Sequence, residues 1–402
     1  MDNDFRFHIE RLRSATTDKL TLANIPEWIV RNTFINGRPY SFVNHEYQER
    51  ILRDTSQETV TRKCSQVGLS EKMARKAVAL CSLTRGYTVA YTLPTAAFAA
   101  TFMRTRIDPI IQSSPYLSSM IHTTTDNAEV KRFGDSYLYL KGCQSENAPI
   151  SVPCDHLIHD EINFSSSETI SQYQSRLTHS PYRRKDKLST PTLPNRGIDY
   201  EFQRSRRHFN KVKCSHCNHW FIPSFYEHVV VPGWDGPLNE ITKANLFMTR
   251  YREAYLSCPS CGGVPDLRPQ HREWVCENPG ENYIAAGYQV TPFDCGLITP
   301  AYLVEAQTQY KKLTDFVNFN LGLPAEDKES VLTREELDAC LKAPGETAVG
   351  SYVMGLDVGM FRSEEPFTPL DGQPLHDVDK FASAVVSPAR ITLGIFVGHH
   401  AA

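Results

Sequence analysis

The sequence predicts an α/β fold with a mainly parallel sheet. Between residues 59 and 194, short runs of apolar and β-branched residues alternate with helical stretches, and such alternation is typical of a parallel sheet. A polar, glycine-containing turn and then a helix follow the first run, within residues 59–72. The adjacent carboxylates Asp160 and Glu161 end a later run, within residues 154–163. We therefore expect the functional residues at the ends of the strands.

The overall composition is that of an ordinary globular protein. At 402 residues the chain is long enough for two or three domains, and its 41% hydrophobic content supports a sizeable core. We find no apolar run near the roughly 20 residues that cross a bilayer, and no signal-peptide pattern at the start. We therefore expect no membrane partner and a reducing cytoplasmic location. The net charge of -3 neither favours nor excludes a nucleic-acid partner, which requires only a local basic face.

Residues 1–40 form a predicted helical lead-in, with apolar residues at helical spacing in residues 25–34. Tyr47 and Gln48 follow, about a dozen residues before the glycine-containing turn. In nucleotide-driven motors, an aromatic ring that stacks on adenine and a glutamine that reads its edge are often found at this place. The alternative is an amphipathic helix in which Tyr47 and Ile51 face the core.

The turn within residues 59–72 has the features of a phosphate-binding cradle, because loop amides and a helix N-terminus face the same anion. It departs from the usual pattern G-x-x-x-x-G-K-[ST]. Leu69 occupies the usual lysine position, and Lys63 replaces the first glycine. In this interpretation Lys63 supplies the cation, Gly68 allows close backbone approach, and Ser70 contacts a nucleotide-bound Mg2+. An ordinary strand-to-helix turn is the alternative.

Further elements follow in the order expected of an α/β sheet. Residues 72–83 form a predicted helix and residues 87–93 a buried strand that ends at a proline. The next helix contains Arg104 and Arg106, either of which is a candidate arginine finger, although a solvated helix face is the ordinary alternative. Residues 127–140 predict a hairpin that turns at Gly134 and Asp135.

The acidic pair fits a hydrolytic site. A P-loop ATPase needs carboxylates at the tip of the strand beside its phosphate cradle. Asp160 would hold Mg2+, and Glu161 would orient or deprotonate the attacking water. An Asp-Glu pair that merely caps a helix is the alternative. The preceding buried strand and the distance from the cradle favour the hydrolytic interpretation.

A third strand, predicted over residues 187–194, ends in small hydroxyl residues. These are Ser189, Thr190 and Thr192. A hydroxyl at the end of such a strand senses the γ-phosphate and passes the state of hydrolysis to the rest of a motor. A proline-rich turn after a strand is the alternative.

In order and spacing, these motifs resemble the ATPase domain of the large terminase subunit of tailed phages, in particular the GpA-like branch. The likeness covers about residues 40–345, and the branch has its phosphate-loop lysine at the front, as Lys63 is here. The resemblance implies a P-loop NTPase core, an ATP-driven motor that moves double-stranded viral DNA into the procapsid, and catalytic roles for Glu161, Asp160, Arg106 and Thr190. The ATP contacts that it implies are Lys63, Cys64, Ser65, Gln66, Val67, Gly68, Leu69, Ser70, Tyr47 and Gln48. Its implied partners are the small terminase subunit, the portal protein and further copies in a ring, in the host cytoplasm.

Two Cys-x-x-Cys pairs predict a structural zinc site in an insert at residues 210–280. The four thiolates are Cys214, Cys217, Cys258 and Cys261. In a reducing compartment such spacing favours tetrahedral Zn2+ over disulfides. The residues between the pairs must loop out, and residues 241–256 are predicted to be helical. His216 and His219 are near enough to compete as ligands but fit surface positions of the knuckle better.

A basic cluster precedes the insert. It comprises Arg204, Arg206, Arg207, Lys211 and Lys213. Its residues alternate with aromatic ones, as in surfaces that follow a DNA backbone. A solvated helix face is the more ordinary interpretation.

The last part of the chain predicts helices over residues 285–342, a linker, and an apolar strand over residues 352–360. This strand resembles the first strand of the RNase H-like nuclease found in terminases, in which Asp357 would be a metal ligand. Residues 361–402 do not continue the likeness, and one further strand is plausible at residues 391–398. We therefore expect residues 346–402 to be a truncated nuclease segment without cleavage activity.

Two other functions fit parts of the sequence. A helicase-like nucleic-acid translocase shares the phosphate loop, but the front lysine and the cysteine insert argue against it. A non-catalytic, zinc-dependent DNA-binding assembly protein is the other alternative. The predicted cofactors of the motor are ATP, Mg2+ and Zn2+.

Overall fold

The computed structural model describes residues 24–144, 153–280 and 283–326, and two strands at 352–359 and 392–399. The chain divides into two units, Met1–Lys328 and Glu329–Ala402. Within the described residues, no helix has the length and apolar character needed to cross a membrane.

The strands are short, and most belong to one sheet. In chain order they are β1 (Phe34–Ile35), β2 (Arg38–Pro39), β3 (Glu58–Lys63), β4 (Thr88–Leu93), β5 (Ile121–Asp126), β6 (Val130–Phe133), β7 (Ser136–Gly142), β8 (His156–Asp160), β9 (Arg184–Ser189), β10 (Arg206–Lys213), β11 (Trp220–Phe221), β12 (Val229–Val230), β13 (Tyr255–Leu256), β14 (Arg272–Cys276), β15 (Ala285–Val290), β16 (Tyr352–Gly359) and β17 (Thr392–His399).

The helices lie between these strands. The α-helices are α1 (Ile25–Asn32), α2 (Tyr47–Leu52), α3 (Leu69–Leu83), α4 (Ala96–Phe102), α5 (Asp108–Gln112), α6 (Pro115–Ser118), α7 (Ser167–Tyr173), α8 (Gly197–Gln203), α9 (Phe225–His228), α10 (Pro300–Gln307) and α11 (Leu313–Phe316). Met103–Ile107 and Val317–Leu321 are π-helical turns, and the 3-10 turns are Ile162–Phe164, Gln174–Leu177, Leu238–Glu240, Leu246–Met248, Tyr251–Glu253, Pro269–His271 and Pro292–Asp294.

The first unit is built on one mostly parallel sheet of 11 strands. Seven neighbouring strands, in the order β10, β15, β3, β9, β8, β4 and β7, run parallel. β6 and β5 extend the sheet in antiparallel fashion beyond β7, and β11 and β14 pair with β10 in the same fashion. β3 and β8 are buried along their whole length, as expected where helices cover both faces of a parallel sheet. The predicted α/β class with a mainly parallel sheet is confirmed.

Successive side chains of a strand point to opposite faces of the sheet, so helices must cover both faces to bury them. Val60 of β3 packs in one buried cluster with Ile198 and Phe202 of α8. Its neighbour Thr59 bonds to Asp186 of β9, whose other carboxylate oxygen accepts a hydrogen bond from Lys76 of α3 at 2.6 Å. Helix α3, which follows the glycine-containing loop, is therefore held to the sheet by a buried ion pair as well as by apolar packing.

The structure corrects four expectations. The strand that bears the acidic pair does not lie directly beside the loop strand, because β9 pairs with both β3 and β8 and separates them. Residues 285–290 form β15, a central strand, where helix was predicted. Residues 206–213 of the basic cluster form β10 and are not part of a helix face. Residues 241–256 contain only 3-10 turns and the short strand β13, because Tyr255 and Leu256 pair with β12 and this tertiary pairing overrides the helical spacing.

Other expectations agree with the structure. The predicted hairpin is formed by β6 and β7, in which Phe133 faces Ser136 across the turn at Gly134 and Asp135. In the second unit, β16 and β17 pair antiparallel with Asp357 opposite Gly394. The predicted lead-in before Asn24 and the linker lie outside the described residues, and the predicted domain bounds stay predictions.

Candidate nucleotide site and cysteine cluster

The loop between β3 and α3 has the backbone geometry of a cradle. Gly68 is the residue before the helix and has a φ of 68°, in the left-handed region that favours glycine. A Cβ at this position would lie 3.0 Å from Gln48 Nε2. Gln66, with a φ of 59°, makes a second left-handed turn in the loop. The loop thus ends at the N-terminus of a helix of 15 residues, an arrangement that favours an anion.

Lys63 and Glu161 meet at the carboxyl ends of β3 and β8. Lys63 Nζ donates to Glu161 Oε1 at 2.7 Å, and the lysine side chain is buried. Burial alone would lower the pKa of Lys63, but the nearby carboxylates of Glu161 and Asp160 outweigh burial and raise it. The amine and the acidic pair therefore converge on one place, although the residues are far apart in sequence.

Sheet register explains this convergence. β9 lies between the two strands, with Ser189 opposite Arg62 of β3 and Leu188 opposite Asp160 of β8. Ser189 Oγ donates to Glu161 Oε2 at 3.1 Å, and the backbone N–H of Thr190 approaches the same oxygen at 3.4 Å. Thr190 Oγ1 is buried and has no hydrogen-bond partner among the described residues. The end of β9 therefore connects the Lys63 side of the site with the Glu161 side.

Glu161 itself has an unusual backbone. Its φ of 56° and ψ of 51° are in the left-handed region, which non-glycine residues seldom adopt. The 3-10 turn Ile162–Phe164 follows directly, and Phe164 N donates to Glu161 O at 3.0 Å. Such backbone strain is often found at functional sites, where surrounding contacts maintain it.

Asp160 is fully buried at the end of β8. Tyr91 of β4 donates its hydroxyl proton to Asp160 Oδ2 at 2.7 Å, while Oδ1 is buried and has no hydrogen-bond partner among the described residues. Burial and then Glu161 raise the pKa of Asp160 to about 6, against opposing effects of Lys63, Tyr91 and Ser70. An orphaned carboxylate oxygen near a serine hydroxyl is the oxygen-rich environment that Mg2+ prefers. The residues present therefore fit Mg2+.

Arg106 lies beside the start of α3. Its guanidinium is 3.3 Å from Glu71 and about half exposed, and Arg104 is also exposed. Glu71 follows Ser70 directly, so Arg106 contacts the neighbour of the residue that is predicted to bind Mg2+. Its role as a finger stays a prediction.

Tyr47 and Gln48 lie at the start of α2 and are both buried. The Tyr47 hydroxyl bonds to the backbone oxygen of Val67, and Gln48 Nε2 donates to the same oxygen at 2.9 Å. Tyr47 and Ile51 face the core, as the alternative interpretation required, and the stacking of Tyr47 on adenine stays a prediction. Gln48, with Tyr40, Gly68 and Glu71, lines a cavity of about 660 Å3 beside the loop.

Two contributors to the site were not predicted from the sequence. Tyr91 lies in a buried strand, where a tyrosine hydroxyl needs a partner, but the sequence alone does not identify Asp160 as that partner. Phe319 accepts a hydrogen bond at its backbone oxygen from Ser65 N of the loop, at 2.7 Å. The sequence contains no signal for this contact, because it joins backbone atoms of distant residues.

The four predicted cysteines form one cluster. Their sulfur atoms all lie within 4.8 Å of one another, and Cys214–Cys261 and Cys217–Cys258 are each separated by 3.7 Å. A tetrahedral site with Zn–S bonds of about 2.3 Å has sulfur atoms about 3.8 Å apart. His216 Nε2 instead contacts the backbone oxygen of Val264, and the His219 ring stacks on Phe221. The cluster fits Zn2+, with neither histidine in it.

These features define a class of α/β proteins in which a strand–loop–helix cradle faces paired carboxylates at the carboxyl ends of the strands of a mostly parallel sheet. Residues 38–280, more than half of the chain, match the family described as the ATPase domain of the phage terminase large subunit gpA. The chain belongs to this family, and the resemblance seen in its motifs is confirmed.

Solved structures of large terminases resemble the chain at low sequence identity. The bacteriophage HK97 large terminase has a TM-score of 0.47 and 11% identity, over 84% of this chain and 62% of that one. The ATPase domain of the Thermus phage P74-26 large terminase has a TM-score of 0.41 and 14% identity, over 69% and 94%. The large terminase of another thermophilic bacteriophage, in complex with ADP, has a TM-score of 0.39 and 10% identity, over 67% and 48%. The chain thus spans about half the length of this last protein. No curated protein matches the sequence.

Proposed function

We propose that this chain is the ATP-hydrolysing motor subunit of a terminase, which moves double-stranded viral DNA into a procapsid. The observation that supports it most directly is the 2.7 Å contact between Lys63 Nζ and Glu161 Oε1, with Asp160 adjacent at the same sheet edge. A cation that binds phosphate and a carboxylate that handles water must share one nucleotide in such an enzyme. The contact supports a motor over a scaffold in which these side chains lie on unrelated surfaces.

Each residue of the site has a role in this proposal. Lys63 and the loop amides bind the phosphates, and Ser70 with Asp160 holds Mg2+, which neutralises charge on the phosphate oxygens when bound. Glu161 orients the attacking water and accepts its proton. Ser189 and Thr190 contact Glu161, which supports a role for the end of β9 in sensing the state of the γ-phosphate. Arg106 is the proposed finger, from the same copy or a neighbouring one.

Zinc completes the proposed set of cofactors. Four thiolates at tetrahedral spacing would close the coordination sphere, so the ion would stabilise the insert and would not take part in hydrolysis. The small terminase subunit, the portal protein and a ring of copies are proposed partners. For residues 346–402 we expect no cleavage activity, and Asp357 as a nuclease metal ligand stays a prediction.

Hydrolysis assays on two variants test the motor. We expect Glu161→Gln and Lys63→Ala each to lower kcat for ATP by about 10²-fold or more, because each removes a group that acts on the transition state. Glu277→Gln is the matched control, since this exposed glutamate pairs with Arg207 away from the site. Glu161→Gln should still bind ATP, which a fluorescent analogue measures.

ATP turnover that survives both substitutions would remove the motor assignment. Wild-type protein that binds zinc and DNA but no nucleotide would favour the non-catalytic assembly protein. Turnover that is coupled to strand separation, and not to packaging, would favour the helicase-like alternative.

A further inference from the structure

A segment near the end of the first unit contacts the phosphate loop. The π-helical turn Val317–Leu321 follows α11 and ends at Gly322. Phe319 O accepts a hydrogen bond from Ser65 N at 2.7 Å. Since the amides of a phosphate loop are the groups that bind the anion, a fixed partner for one of them fixes the path of the others.

The ring of Phe319 contacts the other half of the site. It stacks on Phe164 with ring centroids 6.4 Å apart and an interplanar angle of 8°. Phe164 closes the 3-10 turn that begins after Glu161, and its own amide donates to Glu161 O. Phe164 is 46% exposed, so core packing does not account for its position. The stack instead joins Phe319 to the 3-10 turn that directly follows the left-handed residue Glu161.

Gly322 allows this close approach. Its φ is 69°, and a Cβ there would overlap the backbone of Lys63 and Cys64. Gln289 of β15 donates to Gly322 O at 2.9 Å, and Ala325 N donates to Thr192 O at 3.0 Å, just beyond β9. Residues 317–325 therefore contact the phosphate loop, the turn after Glu161 and the residues that follow Thr190.

We propose that Phe319 is a positioning residue for ATP hydrolysis, which sets the distance between the phosphate loop and Glu161 by binding both through its carbonyl and its ring. This inference rests on the proposed function and adds to it a residue outside the recognised motifs. Phe319 does not touch the nucleotide in this role. It acts through Ser65 on one side and Phe164 on the other, and a shift of about 1 Å between reacting groups can cost 10²-fold in rate.

Kinetics of a double-mutant cycle test the inference. We expect Phe319→Ala and Phe164→Ala each to lower kcat by about 10-fold with a smaller change in KM, and the double variant to be hardly worse than either, because both remove the same stack. Phe319→Tyr retains the stacking ring and should restore most of kcat. Phe247→Ala is the matched control, since this phenylalanine is 80% exposed in the turn Leu246–Met248 of the insert.

Hydrogen exchange gives a second measurement that needs no turnover. In Phe319→Ala, peptides that cover residues 63–69 and 161–166 should both exchange faster than in wild type, while those of β4 should not. Unchanged exchange in both peptides, or strictly additive effects on kcat, would overturn the inference. If Phe319→Ala fails to fold, Phe164→Ala still tests the inference. The Phe164 ring lies on the Glu161 side of the stack, so its loss should speed exchange in residues 63–69, and unchanged exchange there would overturn the inference. Wild-type protein without ATPase activity would overturn the proposed function, and the exchange result would then still test the tie between the two loops.

Discussion

Two adjacent carboxylates at the end of β8 have opposite environments. Glu161 is partly exposed and pairs with Lys63 at 2.7 Å, whereas Asp160 is buried and receives a hydrogen bond from Tyr91. Asn163 N approaches Ser189 Oγ at 3.3 Å, which leaves the Ser189 proton for Glu161. Glu161 therefore accepts hydrogen bonds at both carboxylate oxygens, while Asp160 has an oxygen to offer to a cation. Different environments assign different roles to similar groups.

The environment of Asp160 predicts a pH-dependent cost in stability. Its pKa rises from 3.8 to about 6 on folding, so between these values the folded protein binds more protons than the unfolded chain. Stability of the metal-free protein should then fall as pH rises through this window, by up to about 3 kcal/mol from this group. We expect Asp160→Asn to raise the Tm of metal-free protein by several degrees at pH 8 and to have little effect near pH 4. Calorimetry in a chelator measures this.

Addition of Mg2+ provides the control for that prediction. The ion should stabilise the wild type and not Asp160→Asn, since only the carboxylate binds it strongly. An Asp160→Asn variant that is less stable than wild type at pH 8 without metal would contradict the raised pKa of Asp160.

At the scale of elements, the loop between β3 and α3 depends on one glycine. Gly68 and Gly86 have almost the same φ, 68° and 69°, but a Cβ at Gly68 would crowd Gln48 and His45, whereas one at Gly86 would meet nothing within 4 Å. We expect Gly68→Ala and Gly86→Ala both to lose about 1 kcal/mol of folding free energy, from the left-handed backbone alone. Only Gly68→Ala should also lose affinity for ATP, by about 10-fold or more, because its methyl group displaces side chains at the loop.

Thermal melts and binding of a fluorescent ATP analogue separate the two effects. Equal ATP affinity in the two variants would contradict the role of the loop, whatever their stabilities. Because both substitutions add the same methyl group at the same backbone conformation, a difference in binding reports on position alone.

The motif elements could be predicted from sequence because their signals are local. A β-branched run, Gly68 and Ser70 define the loop, and an apolar run that ends in Asp160 and Glu161 defines the second strand. Strand order is not local, so the insertion of β9 between β3 and β8 was not foreseen. β15 was missed because its sequence, AAGYQV, has a weak strand pattern, and only pairing with β3 and β10 identifies it. The contact of Phe319 with Ser65 joins backbone atoms, so the sequence could not predict it either.

At the scale of the whole molecule, the cysteine insert is continuous with the segment that contacts the phosphate loop. Residues of the insert, among them Phe221 and Leu256, share one buried cluster with Leu303 of α10, Phe316 of α11 and Leu321 of the π-helical turn. Two insert strands, β11 and β14, also pair with β10 of the central sheet. We therefore expect the proposed zinc to stabilise this shared cluster as well as the two Cys-x-x-Cys pairs.

Removal of the metal should accordingly have effects beyond the insert. We expect about one zinc per chain in purified protein, lost in the Cys214→Ser and Cys258→Ser double variant, with a Tm lower by several degrees. Hydrogen exchange should become faster in the insert and in residues 300–322, and kcat for ATP should fall, because Leu321 is two residues from Phe319. Cys276→Ser is the matched control, since this cysteine is not part of the cluster. A metal-free double variant with wild-type exchange in residues 300–322 would limit the ion to a local role and remove its link to the motor.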